Sequence, residues 1–294
     1  MHGCFQSPAA VLSQLPTDLP DQVSRALRED IGSGDVTAEL IPATARAQAR
    51  VLCREPAVLC GAPWFDATFH QLDPAVRIDW QFAEGTQLRA NSIVCELAGP
   101  ARPILTGERT ALNFLQLLSA TATITHRYAE ALAGTGCQIL DTRKTIPGLR
   151  SAQKYAVCCG GGGNHRLGLF DMVLIKENHI AAAGSIAAAI GAARSRATTV
   201  PVEVEVENLE QLRQALAAGA DRVLLDNFEL AALRGAVALN RAQPRPVQLE
   251  VSGGVTLERV AAIAATGVDY ISVGALTKDV RAIDLSMRFG APAA

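Results

Sequence analysis

Two hydrophobic rhythms divide the chain. From residue 138 onward, short β-branched runs at 138–141, 172–176, 202–206, 222–225, 247–251 and 270–273 alternate with longer amphipathic segments. Segments 208–218, 229–240 and 256–266 read as helices, with Asn208 and Thr256 at the N-cap and Gly219 and Gly267 just past the C-terminus. A strand and a helix recurring every 20–30 residues or so predict parallel strands joined by crossover helices. Six strands are fewer than the eight of a closed barrel. Spacing alone therefore leaves open an incomplete barrel and a doubly wound sheet.

The earlier residues follow another pattern. Segment 21–29 reads as a helix, Gly32-Ser33-Gly34-Asp35 as a turn, and 47–53, 76–82 and 93–97 as strands separated by turns at Gly85 and Asn91. A long helical stretch follows over 103–133. The expected layout is an α+β domain over 1–125 and an α/β domain over 126–294, with a last helix expected to return to the first domain.

Composition narrows the class without naming a function. At 49% hydrophobic and 19% charged the chain is an ordinary globular sequence. Its 27 Lys+Arg against 29 Asp+Glu provide no global field for nucleic acid or an anionic membrane, so any basic site is local. The seven cysteines are odd in number and include no CxxC pair, and Cys158 and Cys159 are adjacent. That argues against a disulfide framework or a thiolate zinc site and for a reducing, cytoplasmic setting. The start of the chain has no basic-then-apolar signal pattern, and the Ala-rich stretch 180–193 is too short and too weakly apolar to span a bilayer.

The chemistry collects where the strands end. Run 138–141 leads into Thr142, Arg143 and Lys144, and run 172–176 ends at Lys176. Run 202–206 carries Glu203, Glu205 and then Glu207 on one face, and run 222–225 leads into Asp226. The last two lead into Ser252-Gly253-Gly254 and Ser272-Val273-Gly274. The C-terminal edge of parallel strands is where such folds bind ligands. Arg143, Lys144, Arg166 and Lys176 call for a ligand with several negative charges. Glu205 and Asp226 would repel that ligand unless a hard cation intervenes, and phosphates with Mg²⁺ meet both demands. Backbone N–H groups of the two glycine turns suit a phosphate. The run Gly160-Gly161-Gly162-Gly163-Asn164-His165-Arg166 reads either as a linker or as a loop approaching a ligand. The adjacency of His165 to Arg166 favours substrate contact over general-base work. Lys176 also leaves open a Schiff-base barrel aldolase.

Several segments resemble those of the quinolinate phosphoribosyltransferases, a type II phosphoribosyltransferase family. They are Asp141-Thr142-Arg143-Lys144-Thr145, the run from Gly161 to Gly168, Leu174-Ile175-Lys176-Glu177-Asn178-His179, Glu203-Val204-Glu205-Val206 and Leu225-Asp226-Asn227-Phe228. Glu29-Asp30-Ile31-Gly32, Gly107-Glu108-Arg109 and Ser272-Val273-Gly274-Ala275 match in the same order, so the likeness covers residues 20–288. It implies an N-terminal α/β sandwich, an incomplete C-terminal α/β barrel, and homodimers whose sites are shared between subunits. It implies that Arg143, His165, Arg166 and Lys176 hold the two carboxylates of quinolinate, with Arg109 entering from the other subunit. Lys144, Glu205 and Asp226 would face the pyrophosphate, Mg²⁺ and ribose of phosphoribosyl pyrophosphate, beside Thr142. The turns of Ser252, Gly253 and Gly254 and of Ser272, Val273 and Gly274 would take the 5-phosphate. Lys144, Lys176, Glu205 and Asp226 are then the catalytic set. The implied reaction yields nicotinate mononucleotide, pyrophosphate and CO₂ for de novo NAD synthesis. A paralogue of molybdate metabolism and a non-catalytic pyridine- or phosphate-binding barrel stay open as alternatives.

Overall fold

The computed structural model describes residues 15–196 and 199–290. They form two compact units. Of the described residues, one takes 15–126, 145–161 and 277–290; the other takes 127–144 and the rest of 162–276.

In the first unit, α1 (Leu19–Ile31) has Leu19, Val23 and Leu27 at intervals of four residues, all buried. In β1 (Arg46–Cys53) burial alternates, with Ala49, Val51 and Cys53 inward, as a strand covered on one face requires. After β2 (Ala57–Val58) and α2 (Ala62–Leu72) come β3 (Arg77–Trp80), β4 (Gln87–Leu88) and β5 (Ser92–Pro100), then α3 (Ala101–Ala131). β5 pairs antiparallel with both β1 and β3. Phe65, Phe69, Leu97, Ile104, Leu112 and Leu115 pack in the core beneath this sheet. The helix Arg150–Cys159 also belongs here, with Tyr155 set 5.4 Å from the ring of Trp64.

The second unit is built on six parallel strands: β6 (Gln138–Leu140), β7 (Val173–Ile175), β8 (Val202–Val206), β9 (Arg222–Asp226), β10 (Gln248–Ser252) and β11 (Tyr270–Ser272). Their spatial order is β6-β11-β10-β9-β8-β7. A doubly wound sheet reverses its strand order part-way, whereas this one runs round in sequence and stays open between β6 and β7. The incomplete barrel is the fold. Asn208 caps its helix as expected, its Oδ1 accepting from the Gln211 N–H at 2.9 Å; Thr256 occupies the N-cap position but its side chain makes no capping bond. In β8 the two-residue period puts Val202, Val204 and Val206 on one face and Glu203 and Glu205 on the other.

The chain then returns to the first unit as β12 (Leu285–Phe289), pairing antiparallel with β1 from Cys53↔Leu285 to Ala49↔Phe289 and completing the order β12-β1-β5-β3. The expected returning segment was a last helix. Leu285 and Met287 are buried while Arg288 is exposed, and this alternation marks a strand too short to stand out from its neighbours.

Candidate active site

The site grows from the end of β6. Asp141, fully buried, serves as a clamp: Oδ2 accepts from Asn164 Nδ2 at 2.7 Å, and Oδ1 accepts the His165 N–H at 2.9 Å. Gly163 bridges Leu140 in parallel, donating to Ile139 O at 2.8 Å and accepting from Asp141 N at 3.2 Å. The end of the glycine run is therefore stitched along β6 and is no loose linker there. A Cβ on Gly163 would stand 2.9 Å from Gln138 Nε2 and 3.0 Å from Leu140 Cδ2, so those two side chains would have to shift to admit one.

This stitching sets His165 and Arg166 on the wall of a cavity of about 330 Å³ at the C-terminal ends of the barrel strands. Thr142, Arg143, Lys144, Lys176, Glu205, Ser252 and Ser272 also line it, with Leu174, Leu224 and Glu250. Asp226 stands just behind: its Oδ1 accepts from Ser252 Oγ at 2.6 Å and its Oδ2 from Asn227 Nδ2 at 2.8 Å. Gly253 and Gly254 both have positive φ, 89° and 55°, and a Cβ on Gly253 would collide with the Asn227 side chain. Gly274 lets Lys144 lie across it, since a Cβ there would come 2.9 Å from Lys144 Cδ. Val273 is a core residue whose N–H is taken by Leu140 O at 2.9 Å. Arg109 is exposed on α3, in the other unit, and is not among the lining residues.

The charges in the cavity are unevenly matched. Lys176 Nζ pairs with Glu205 Oε2 at 2.6 Å. Arg143 and Arg166 instead oppose one another: burial first, and then the charge of Arg143, lower the Arg166 pKa. The buried Nε of Arg143 finds no acceptor among the described residues. Two adjoining guanidinium groups suit an anion with more than one negative charge.

At the cavity wall His165 joins a charged cluster whose other members, Glu203, Glu250 and Arg222, sequence reasoning did not assign to the site. His165 Nε2 is 3.1 Å from Glu203 Oε2 and 3.4 Å from Glu250 Oε2, and both carboxylates are fully buried. Arg222, only 4% exposed, sits between them in the sheet, paired in register with Glu203 on one side and Gln248 on the other. Its guanidinium lies 5.0 Å over the Tyr270 ring and donates to Gln248 Oε1 at 2.6 Å. Burial alone would lower the His165 pKa, but the charges of Glu250 and Glu203 and their hydrogen bonds outweigh it and push it up to about 10. The other ring nitrogen, Nδ1, accepts the Arg166 N–H at 2.7 Å, so a second proton on the ring would displace that bond. Glu203 is pushed up as well, first by burial and then by the charge of Glu250. The signal available in the sequence was glutamate alternating with valine in β8, and one glutamate set between Leu249 and Val251 in β10.

Comparison with known proteins agrees with this geometry. Residues 35–119 match the family model for the quinolinate phosphoribosyl transferase N-terminal domain, and residues 121–288 match that for its C-terminal domain. The chain is 44% identical over 260 residues to a probable carboxylating nicotinate-nucleotide pyrophosphorylase of Bacillus subtilis, covering 88% of this chain and 89% of that one. It is 40% identical over 276 residues to the human carboxylating enzyme of the same name, covering 93% and 92%. The solved structure of the nicotinate-nucleotide pyrophosphorylase from Francisella tularensis superimposes with a TM-score of 0.88 at 47% identity, covering 94% of this chain and 98% of that one.

Proposed function

The chain belongs to the quinolinate phosphoribosyltransferase family, and from that premise we infer how its cavity works. The reaction is transfer of phosphoribosyl from phosphoribosyl pyrophosphate to quinolinate, with decarboxylation, giving nicotinate mononucleotide, pyrophosphate and CO₂ in NAD biosynthesis. The observation that carries the reading is the guanidinium pair. Arg143 and Arg166 repel one another across a partly buried wall, and a dicarboxylate relieves that repulsion where a single carboxylate would leave a cation unmatched.

With the carboxylates held by Arg143, Arg166 and Lys176, the pyridine nitrogen is presented to the ribose anomeric carbon. The new C–N bond forms as the C–O bond to pyrophosphate breaks, and positive charge grows on the ribose in between. Glu205 and Asp226, at the ends of adjacent strands, suit that developing charge. When the C2 carboxylate then departs as CO₂, the electron pair of the broken C–C bond stays on C2, stabilised by the adjacent quaternary nitrogen, and C2 takes up a proton with it. Lys144 reaches the cavity across Gly274 and faces the pyrophosphate.

Glu205 and Asp226 also fit Mg²⁺. They project from the same face of neighbouring strands as hard oxygen donors, and the bond to Lys176 uses only Oε2 of Glu205. Bound there with phosphate oxygens, the ion would neutralise charge on the leaving pyrophosphate. The 5-phosphate is assigned to the turns of Ser252, Gly253 and Gly254 and of Ser272 and Gly274.

A homodimer with Arg109 supplied across subunits completes the reading. Leu169 and Phe170, 75% and 77% exposed and close in sequence to Arg166, support an interface. No helix among the described residues is long and apolar enough to cross a membrane. The six buried free thiols support a cytoplasmic setting. The test is turnover of quinolinate and of nicotinate with phosphoribosyl pyrophosphate, with and without Mg²⁺. Nicotinate mononucleotide and CO₂ should form from quinolinate, with Mg²⁺ required and a preference in kcat/KM over nicotinate of about a hundredfold or more. Comparable turnover of nicotinate would sink the dicarboxylate reading, and activity indifferent to Mg²⁺ would sink the metal assignment.

A further inference from the structure

We propose that Glu203 and Glu250 are positioning residues for the dicarboxylate, acting through His165 on the backbone that carries Arg166. The proposal rests on the assignment of the cavity to quinolinate. It starts from a cost: two fully buried carboxylates in the barrel interior are expensive, and packed apolar residues of similar volume would hold the sheet at least as well. A role in packing alone does not account for them.

The geometry points to what they hold. Both carboxylates converge on one atom, His165 Nε2, at 3.1 and 3.4 Å. The opposite side of the same ring, Nδ1, takes the Arg166 N–H at 2.7 Å. The His165 N–H is fixed by Asp141 at 2.9 Å, and Asp141 also holds Asn164. The imidazole is thus a strut between the sheet interior and the segment bearing Arg166. Both its ring nitrogens are committed within the protein, which leaves hydrogen bonding to the substrate carboxylates to Arg143, Arg166 and Lys176. The Arg166 guanidinium itself is lightly held, with one bond from Nη1 to Met172 O at 3.3 Å. Its placement is therefore governed by its backbone, and the strut fixes that backbone.

Arg222 keeps the strut's charge in balance from β9, while Arg143, Arg166 and the Lys176–Glu205 pair lie on the cavity side. Removing one carboxylate frees the ring to turn toward the other. The Arg166 N–H then loses its acceptor, and the two guanidinium groups lose their fixed spacing. Phosphoribosyl pyrophosphate, bound by the other strand ends, should not register the change.

The experiment measures quinolinate affinity by calorimetry, and KM for each substrate, in Glu203→Gln, Glu250→Gln and His165→Gln, and in each Glu variant combined with His165→Gln. Each Glu variant should weaken quinolinate by about tenfold, the scale of one lost hydrogen bond to a charged group. KM for phosphoribosyl pyrophosphate should move less than twofold. In the His165→Gln background neither Glu substitution should weaken quinolinate further, because their route to the substrate has gone. Equal loss of both substrates, unchanged quinolinate affinity, or full additivity with His165→Gln would each overturn the proposal. If a Glu variant does not fold, His165→Gln alone carries the test through the same split between substrates, and an equal effect on both overturns it. Failure of the parent protein to turn over quinolinate would instead overturn the assignment of the site.

Discussion

Replacing Arg222 by methionine keeps most of the side-chain volume and removes the one cation set in the sheet between Glu203 and Glu250. The arginine is 4% exposed, and its charge lowers the pKa of both carboxylates. Breaking a buried ion pair from one side costs about 3–5 kcal/mol. Loss of the contact over Tyr270 adds about 0.5–1 kcal/mol. The cluster has one escape, which is to bind another proton, and this becomes harder as pH rises. The penalty should therefore be near 3 kcal/mol at about pH 6 and larger at pH 8. Urea unfolding followed by circular dichroism measures it at both values. Adding Glu250→Gln to Arg222→Met should recover about 1 kcal/mol or more, because the uncompensated charge is then gone. A penalty below about 1 kcal/mol at pH 8, or a double variant no more stable than the single one, would show that the cluster is not held together by charge.

Arg143→Lys keeps the charge but loses the planar fork, and should weaken quinolinate by about 1.5–3 kcal/mol; near-normal affinity in a binding assay would refute the assignment. Gly160→Ala should destabilise the first unit by about 1–3 kcal/mol, because the added methyl runs into Ala122 O and comes within 2.7 Å of Thr125 Cβ; a midpoint in urea equal to the parent's would contradict it. Mixing inactive Arg109→Ala with inactive Lys176→Ala should restore activity through hybrid dimers, and no recovery after confirmed subunit exchange would place Arg109 outside its partner's site. The His165 cluster holds its proton up to about pH 10, against about 6.5 in the unfolded chain. The stability it contributes is therefore complete below about 6.5 and lost as pH rises through about 10. The unfolding free energy of the parent should fall with pH across that window more steeply than that of Glu203→Gln/Glu250→Gln, by up to about 1.4 kcal/mol per pH unit; parallel slopes would refute it.

The barrel was legible because its strands and crossover helices each carry their own period, and because positive φ at Gly219 and Gly267 marks helix ends that sequence punctuates with glycine. β2 and β4, at two residues each, are too short to carry any period, and β12 depends on a partner far away in the chain. Within the site, the cations announced themselves by standing at strand ends. Asp141 did not: the sequence shows an acid beside Thr142 and Arg143, and only the fold shows that it clamps the Asn164–His165 segment. Glu203 was visible on the same face as Glu205, but period alone does not tell a glutamate at the rim from one two residues deeper. Glu250 and Arg222 stood in strands read as apolar, and their meeting depends on the order of β8, β9 and β10 in the sheet.

The pairing of β12 with β1 has a consequence for how the chain is made. Ala49 meets Phe289 across about 240 residues of intervening chain, so on the ribosome β1 emerges long before its outer neighbour and waits for it while those residues are made. Throughout that interval β1 is a sheet edge with open backbone groups, the kind of surface that recruits strands from other chains. The barrel, whose neighbours in space are mostly neighbours in sequence, can form meanwhile, whereas closure of this sheet carries the longest loop in the fold. A nascent chain stalled before residue 285 should therefore be more prone to aggregate than its finished barrel would suggest, and β12 acts as the seal on a sheet begun some 240 residues earlier.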